Sequence, residues 1–215
     1  MDKAVLIGGG GHASVVLAVV RSMKQFDVIG YTDLVDRGLI FDVPYLGADE
    51  VLRDLYQRKG VTYALMGLGQ VTLDQKRRGV LERVESIGYI SPPVVAHSAV
   101  IQEGVEIGNG TVVFEGVVVN TSSVIGRGVI LNTRCLVDHD CVIGDFTHIA
   151  PGATISGGVR IGADSIVGAG ATIIHGRRVA SRSYIGAGAV VVRDIVEPGV
   201  YAGVPARKLR DDKPQ

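Results

Sequence analysis

The chain has few of the residues on which specialised folds depend. Of its 215 residues two are cysteine and none is tryptophan, so a disulfide-rich secreted scaffold is excluded. Lys+Arg and Asp+Glu balance at 22 each, so the formal net charge is zero. Neither a nucleic-acid-binding role nor a membrane-surface role has electrostatic support from such a composition.

Long apolar runs are missing too. No stretch approaches the roughly 20 apolar residues that a transmembrane helix needs. The chain passes from Met1-Asp2-Lys3 directly into Ala4–Ile7, which is too short for the apolar region of a signal peptide. We therefore expect a cytoplasmic protein without a signal peptide.

Glycine and aliphatic residues are abundant and strictly ordered. From Val95 to Val191 every sixth residue is aliphatic, which makes 17 positions without a break. Neither the 3.6-residue period of a helix nor the two-residue period of a half-buried strand persists in this way. The pattern predicts a hexapeptide-repeat parallel β-helix with three hexads, or 18 residues, in each coil. Since no insertion interrupts the repeat, the active site should lie on the coils themselves.

The fifth position of each hexad is nearly always small or β-branched, and Arg177 is the clear exception. Both cysteines, Cys135 and Cys141, occupy this position. We expect them to be small buried fillers of the coil, rather than metal ligands, disulfide partners or nucleophiles.

Residues 3–90 follow a different rhythm, in which strands alternate with helices as in βαβ units. The sequence predicts a small Rossmann-like α/β domain at residues 1–92, ended by Pro92-Pro93. The β-helix would span 93–196, with a C-terminal tail or cap at 197–215. The predicted elements are a strand at Ala4–Ile7, a helix at His12–Lys24, a strand at Phe26–Tyr31, a helix at Asp49–Lys59, a strand at Thr62–Leu68 and a helix at Thr72–Ile87.

The run Gly8-Gly9-Gly10-Gly11-His12 lies between the first strand and the first helix. Backbone amides at such a turn bind phosphate, and Asp33 ends the second strand where a carboxylate often binds a ribose or a base. A tight structural turn is the alternative. Because only about 90 residues are available, a nucleotide-linked ligand is favoured over a dinucleotide.

Asp138-His139-Asp140 is the most reactive-looking cluster. A carboxylate beside a histidine can orient it and make it more basic, which suits a general base near neutral pH. A solvated polar corner is the alternative. The 18-residue coil places Gly157 one layer from His139, about 4.8 Å away. It places His175 two layers away, where we expect a peripheral role.

His148 lies nine residues after His139, on the next face, and could be a ligand-binding, surface or subunit-interface residue. His97 has no supporting neighbours, so we expect it to lie on the surface.

Several motifs together carry a resemblance to a known family. They are the glycine run ending at His12, Asn132, the run Val137–Asp140, and the closing Gly203-Val204-Pro205-Ala206-Arg207. With the repeat, they resemble the bacterial nucleotide-sugar N-acetyltransferases of the left-handed β-helix superfamily. That family acetylates the 4-amino group of activated deoxysugars, such as GDP-perosamine or UDP-linked bacillosamine precursors.

The resemblance implies roles for individual residues, acetyl-CoA as co-substrate, no metal, and a homotrimer with active sites between subunits. His139 matches the general base and Asp140 its acidic partner. Positions matching contacts to acetyl-CoA are His148, Gly157, Ala169 and Ala187. Positions matching the nucleotide-sugar site are Gly10, Gly11, His12, Thr32 and Asp33.

Two residues depart from the family pattern. Some relatives carry glutamate at the position of Asp140, so a longer contact with the imidazole is expected here. Arg207 stands where lysine is common, which keeps the positive charge.

Three other functions remain open at this stage. A sugar O-acetyltransferase of the sialic acid type would use the same fold with a hydroxyl acceptor. A γ-type carbonic anhydrase-like hydratase would use His139 and His175, but it needs a third histidine that residues 176–183 lack. A binding module without catalysis is the third.

Overall fold

The computed structural model describes residues 1–211 and begins with an α/β domain. Its parallel sheet has the strand order β3-β2-β1-β4. This confirms the predicted class of the N-terminal region. The elements are β1 (Asp2–Ile7), α1 (Gly11–Met23), β2 (Phe26–Thr32), β3 (Tyr45–Gly47), a 3-10 turn (Asp49–Val51), α2 (Leu52–Lys59), β4 (Tyr63–Met66) and α3 (Lys76–Ile87).

Two features of this domain differ from the sequence-based prediction. Helix α3 begins at Lys76, four residues later than expected, after a turn in which the Asp74 side chain bonds the preceding Thr72 and the first helical amide. The Lys76 amide donates to Asp74 Oδ1 at 3.1 Å, and the Thr72 hydroxyl donates to Asp74 Oδ2 at 2.7 Å. The short edge strand β3 was not predicted, since three residues leave too little pattern to detect.

Two-residue strands form most of the β-helix. They are β5 (Val94–Val95), β6 (Val100–Ile101), β7 (Glu106–Ile107), β8 (Val112–Val113), β9 (Val118–Val119), β10 (Val124–Ile125), β11 (Ile130–Leu131), β12 (Leu136–Val137), β13 (Val142–Ile143), β14 (His148–Ile149), β15 (Thr154–Ile155), β16 (Arg160–Ile161), β17 (Ile166–Val167), β18 (Thr172–Ile173), β19 (Arg178–Val179), the three-residue β20 (Ser183–Ile185) and β21 (Val190–Val191).

These strands stack into three parallel faces. Face 1 contains β5, β8, β11, β14, β17 and β20; face 2 contains β6, β9, β12, β15, β18 and β21; face 3 contains β7, β10, β13, β16 and β19. Each strand pairs with the strand 18 residues later, as Ile125 does with Ile143. The left-handed β-helix and its 18-residue coil are therefore confirmed.

The interior of the coils is aliphatic and closely filled. Cys135 and Cys141 are both buried in it as free thiols. Burial raises the pKa of Cys135 to about 12 and also raises the pKa of Cys141, so neither supplies a thiolate near neutral pH. The expectation that both are buried fillers is confirmed.

Face 1 continues beyond the last complete hexad. Strand β22 (Gly199–Ala202) pairs in parallel with β20, and β23 (Arg207–Arg210) adds an antiparallel edge. The segment predicted as a C-terminal tail or cap thus contributes two strands to face 1.

The α/β domain is docked on the first coils of face 1. Outward-facing Val112, Phe114 and Ile130 are buried in one cluster with Val16 and Leu17 of α1. Burying this apolar surface is the main source of attraction between the two parts. Across residues 1–211 the structure contains no helix long and apolar enough to cross a membrane.

Arg77 of α3 also links the α/β domain to the β-helix, through hydrogen bonds. Its fully buried guanidinium donates from Nε to the Gly128 carbonyl at 2.8 Å and from Nη2 to the Gly110 carbonyl at 2.9 Å. A third bond goes to the Leu68 carbonyl in the α/β domain. Burial lowers the pKa of Arg77 to about 9. One side chain thus joins the domain to two neighbouring coils.

Candidate active site

His139 stands exposed at the corner that follows β12. Its Nδ1 lies 2.7 Å from Asp140 Oδ2. Asp140 adopts a left-handed backbone conformation, with φ of 59°. We attribute the short contact to this conformation, which turns the short side chain back onto the preceding ring. The longer contact expected for aspartate is therefore not found.

This contact defines which nitrogen of His139 can act as a base. A carboxylate only accepts hydrogen bonds, so Nδ1 carries the hydrogen and Nε2 keeps its lone pair. The hydrogen bond that His139 donates to Asp140 is the largest cause of the raised pKa of His139, and the charge of Asp138 is the next. The arrangement is that of an oriented general base.

The free nitrogen of His139 lies over the next coil at Gly157. A Cβ atom placed on Gly157 would be only 2.5 Å from His139 Nε2. The glycine is therefore required by the position of the ring, as the predicted one-layer spacing implied. Any larger residue here would displace the base.

Asp138 is held by groups that sequence reasoning did not single out. Its Oδ1 accepts hydrogen bonds from Asn120 Nδ2 and from the His139 amide, both at 2.8 Å. Both bonds lower the pKa of Asp138, and the bond from Asn120 is the larger cause. A hydrogen bond from the Gly157 amide lowers it further. Asn120 stands 18 residues before Asp138, which is the signal that could have identified it.

His175 lies closer to His139 than its predicted peripheral role suggests. The two ring centroids are 6.4 Å apart, with a 46° angle between the planes. Because Gly157 stands between them without a side chain, the rings can approach across one coil. The structure thus places two imidazoles at one corner of the helix.

His148 is on face 1, so within one protomer it does not lie at the corner of His139. The ring is almost completely buried, and burial is the main cause of its lowered pKa. Its Nδ1 lies 2.6 Å from the Gln70 carbonyl, which requires Nδ1–H, and its Nε2 accepts from Asn132 Nδ2 at 3.1 Å. Both ring nitrogens are therefore already bonded within the protomer.

The glycine turn leaves open space above the start of α1. A Cβ on Gly10 or Gly11 would meet nothing within 4 Å, so a ligand can approach this backbone. Asp33 Oδ2 accepts a hydrogen bond from the Gly9 amide at 2.7 Å. This contact joins the turn to the end of β2. The helix N-terminus and its amides suit a phosphate group.

Two residues expected in the nucleotide-sugar site are less accessible. Thr32 is completely buried, so its side chain lies under the surface rather than at the open turn. His12 packs edge-on against Phe114 of the β-helix, with ring centroids 5.2 Å apart. Burial, then Arg77, then His148 lower the pKa of His12 to about 3, so the ring is neutral.

Ala169 and Ala187 are exposed on a different corner, after β17 and β20. They are stacked on adjacent coils, where the Gly188 amide donates to the Ala169 carbonyl at 2.9 Å. Small side chains there leave the backbone accessible. Over the described part of the chain, no group of three or more His, Cys, Asp or Glu side chains is placed to hold a metal ion.

Comparison with known proteins agrees with this architecture. Residues 3–83 match the PglD N-terminal domain, and residues 122–157 match the bacterial transferase hexapeptide family, six repeats. PerB from Caulobacter crescentus, solved with CoA and GDP-perosamine, is 33% identical with a TM-score of 0.89, and 97% of each chain is covered.

The acetyltransferase domain of PglB from Neisseria gonorrhoeae is also similar. It is 34% identical with a TM-score of 0.90, covering 97% of this chain and 100% of that domain. The same domain has been solved with acetyl coenzyme A.

With its hexapeptide β-helix and its α/β domain on one face, the chain has the architecture of the sugar acetyltransferases that it matches. More specifically, the chain belongs to the nucleotide-sugar N-acetyltransferases of the left-handed β-helix superfamily. It is an acetyl-CoA-dependent acetyltransferase by family.

Proposed function

We propose that the protein transfers acetyl from acetyl-CoA to the 4-amino group of a nucleotide-linked amino-deoxysugar, such as GDP-perosamine or a UDP-bacillosamine precursor. The observation that carries this proposal is the pair His139–Asp140, whose free Nε2 lies over Gly157. The complex of PerB with CoA and GDP-perosamine, and that of the PglB domain with acetyl coenzyme A, support the choice of substrates.

In the proposed reaction the sugar nitrogen attacks the thioester carbonyl while His139 Nε2 takes the amine proton. The C–N bond forms, the C–S bond breaks, and coenzyme A leaves as the thiolate, which takes up a proton to give the thiol. The Gly157 amide, which also interacts with Asp138, would stabilise the developing oxyanion. The Asp140 carboxylate, in contact with His139 Nδ1, stabilises the imidazolium. General acid-base assistance of this kind contributes about 10²–10⁴-fold to the rate.

We assign coenzyme binding to His148, Gly157, Ala169 and Ala187. The exposed backbone at Ala169 and Ala187 suits contacts to an extended pantetheine chain. For His148, the bonded ring favours an indirect contribution, in which it holds the Asn132 amide in place.

The sugar nucleotide would bind at the glycine turn. The open backbone of Gly10 and Gly11 faces the diphosphate, and Asp33 is at the edge that a ribose or base would reach. His12 and Thr32 would shape this site from beneath, because both are largely buried.

We further propose a homotrimer whose active sites lie between subunits. His139 and His148 occupy different faces of one protomer, as do the corners of Gly157 and Ala187. A neighbouring copy that brings face 1 of one chain beside the His139 corner of another would unite them.

The decisive experiment measures thiol release from acetyl-CoA with a panel of sugar nucleotides. Each 4-amino sugar is paired with its 4-hydroxy counterpart, carried on GDP, UDP or dTDP. We expect transfer to an amino sugar and a loss of about 100-fold or more in His139→Ala. Transfer only to hydroxy sugars, or a wild-type rate in His139→Ala, would contradict the proposal. His97→Ala, at an exposed corner of the first coil, is the matched control.

A further inference from the structure

His175 lies close to His139, the proposed base. It shares one corner column with His139 and Gly157, at 18-residue intervals, and its ring centroid lies 6.4 Å from that of His139. A hypothetical Cβ on Gly158 would be 3.8 Å from His175 Cε1, so the His175 ring extends back over the coil that contains Gly157. The space between the two imidazoles is therefore bounded by glycine backbone.

The two rings differ in what holds them. His139 is oriented by Asp140, whereas neither ring nitrogen of His175 bonds a protein atom anywhere in residues 1–211. The His175 ring is exposed to solvent. One imidazole is thus fixed as a base, and the other is free to bond a ligand.

The proposed direction of coenzyme A gives this free imidazole a partner. In the proposed trimer Gly157 comes from one chain and Ala169 and Ala187 from its neighbour, on successively later coils, so a coenzyme bound along them would run from the His139 level toward the later coils. In this direction the acceptor amine would lie on the His139 side of the thioester, and the thioester sulfur would lie on the His175 side.

We propose that His175 is the general acid that protonates the departing sulfur of coenzyme A, an assignment that rests on the proposed acetyl transfer. As the C–N bond forms and the C–S bond breaks, His139 Nε2 accepts the amine proton. Protonated His175 gives its proton to the thiolate. His139 then passes its proton to His175, directly or through water, which restores both groups.

The charged surroundings of His175 come from three coils. Those near this corner, on its own coil and on the coils to either side, include Asp138, His139, Asp140, Arg160, Arg177, Arg178, Arg193 and Asp194. Arg177 Nη1 lies 3.6 Å from Asp194 Oδ1, which places opposite charges side by side beyond His175. The acids near His139 stand on the other side of Gly157.

The kinetic test compares His175→Gln with His97→Gln, the same change at an exposed histidine on the first coil. Because a thiol is already a good leaving group, with an ordinary pKa near 8.5, we expect kcat to fall only about tenfold. The fall of kcat at alkaline pH should disappear in His175→Gln and persist in His97→Gln. A higher KM for acetyl-CoA with unchanged kcat and pH profile would overturn the proposal, because His175 would then only bind the coenzyme.

A second measurement is independent of the acceptor sugar. Imidazole NMR signals are followed while coenzyme A, or desulfo-coenzyme A lacking the sulfur, is added to the full-length protein. The signal that is missing in His175→Gln should move with coenzyme A and stay in place with the desulfo compound. Equal shifts with both ligands, or none with coenzyme A, would overturn the assignment. If instead no sugar is acetylated while this sulfur-dependent shift is present, the fault lies in the proposed function.

Discussion

A histidine becomes a useful base when one nitrogen is occupied and the other points at open space. Here the first condition depends on the left-handed backbone of Asp140, a conformation that aspartate tolerates better than most residues. The second depends on the missing side chain of Gly157. The chemistry of His139 is therefore built from its two neighbours, one in sequence and one in the next coil.

Replacing Asp140 with asparagine tests the first neighbour. The change removes the largest cause of the raised pKa of His139, so that pKa should fall. Since His139 must be unprotonated to act, the acid limb of kcat/KM moves to lower pH. The weaker base should also lower kcat by about tenfold. Glu115→Gln, an exposed carboxylate at another corner, is the control. An acid limb that stays in place or moves to higher pH would refute the assigned pairing.

Gly157→Ala tests the second neighbour. The added Cβ would be 2.5 Å from His139 Nε2, so the exposed ring must rotate away from its position. We expect kcat to fall about 100-fold, as for loss of a general base, with little change in the melting temperature. Gly79→Ala is matched to it, because its Cβ meets nothing within 4 Å. Comparable activity in the two variants would show that the ring does not need this space.

At the level of elements, we expect the buried hydrogen bonds of Arg77 between α3 and the coils to stabilise the fold more than the exposed ion pairs of the same helix do. Arg77→Met keeps the length of the side chain but leaves three carbonyl groups without their donor. We expect the free energy of unfolding to fall by about 3 kcal/mol. Urea denaturation of the full-length protein measures this.

Arg83→Met in the same helix is the comparison. Arg83 is largely exposed, and its partner Asp49 is on the same α/β domain. An ion pair of this kind contributes at most about 1 kcal/mol. Equal losses in the two variants would mean that Arg77 does not hold the junction.

Elements with a long periodic sequence pattern could be predicted, whereas elements that depend on a few residues could not. The six-residue repeat predicted the coil, its 18-residue register and the inward cysteines, because each hexad repeats the same steric requirement. Strand β3 and the late start of α3 rest on a few local contacts, such as those of Asp74, and carry no periodic signal. The role of Arg77 was not predictable either, since its run Lys76-Arg77-Arg78 looks like a solvated helix face.

For the molecule as a whole, distant pairs decide where the candidate site residues lie. The Gln70 carbonyl and His148 are 78 residues apart, and no spacing rule connects them, so the burial of His148 could not be predicted. His139 and Gly157 are 18 apart and could be placed from the repeat alone. Distances along the β-helix can therefore be predicted from the repeat, whereas contacts between domains or subunits can be found only from the folded structure.

Mixing two inactive variants tests whether the site is shared between subunits. His139→Ala removes the base, and Ala187→Arg blocks the proposed coenzyme path at an exposed corner. If each site combines His139 of one chain with Ala187 of its neighbour, random trimers from a 1:1 co-expression should have about one quarter of their sites intact. We therefore expect about a quarter of wild-type activity in the mixed trimers and almost none in either variant alone. Light scattering of the same samples gives the oligomeric mass. Because every chain carries one defect, a site contained in a single subunit would leave the mixture as inactive as its components.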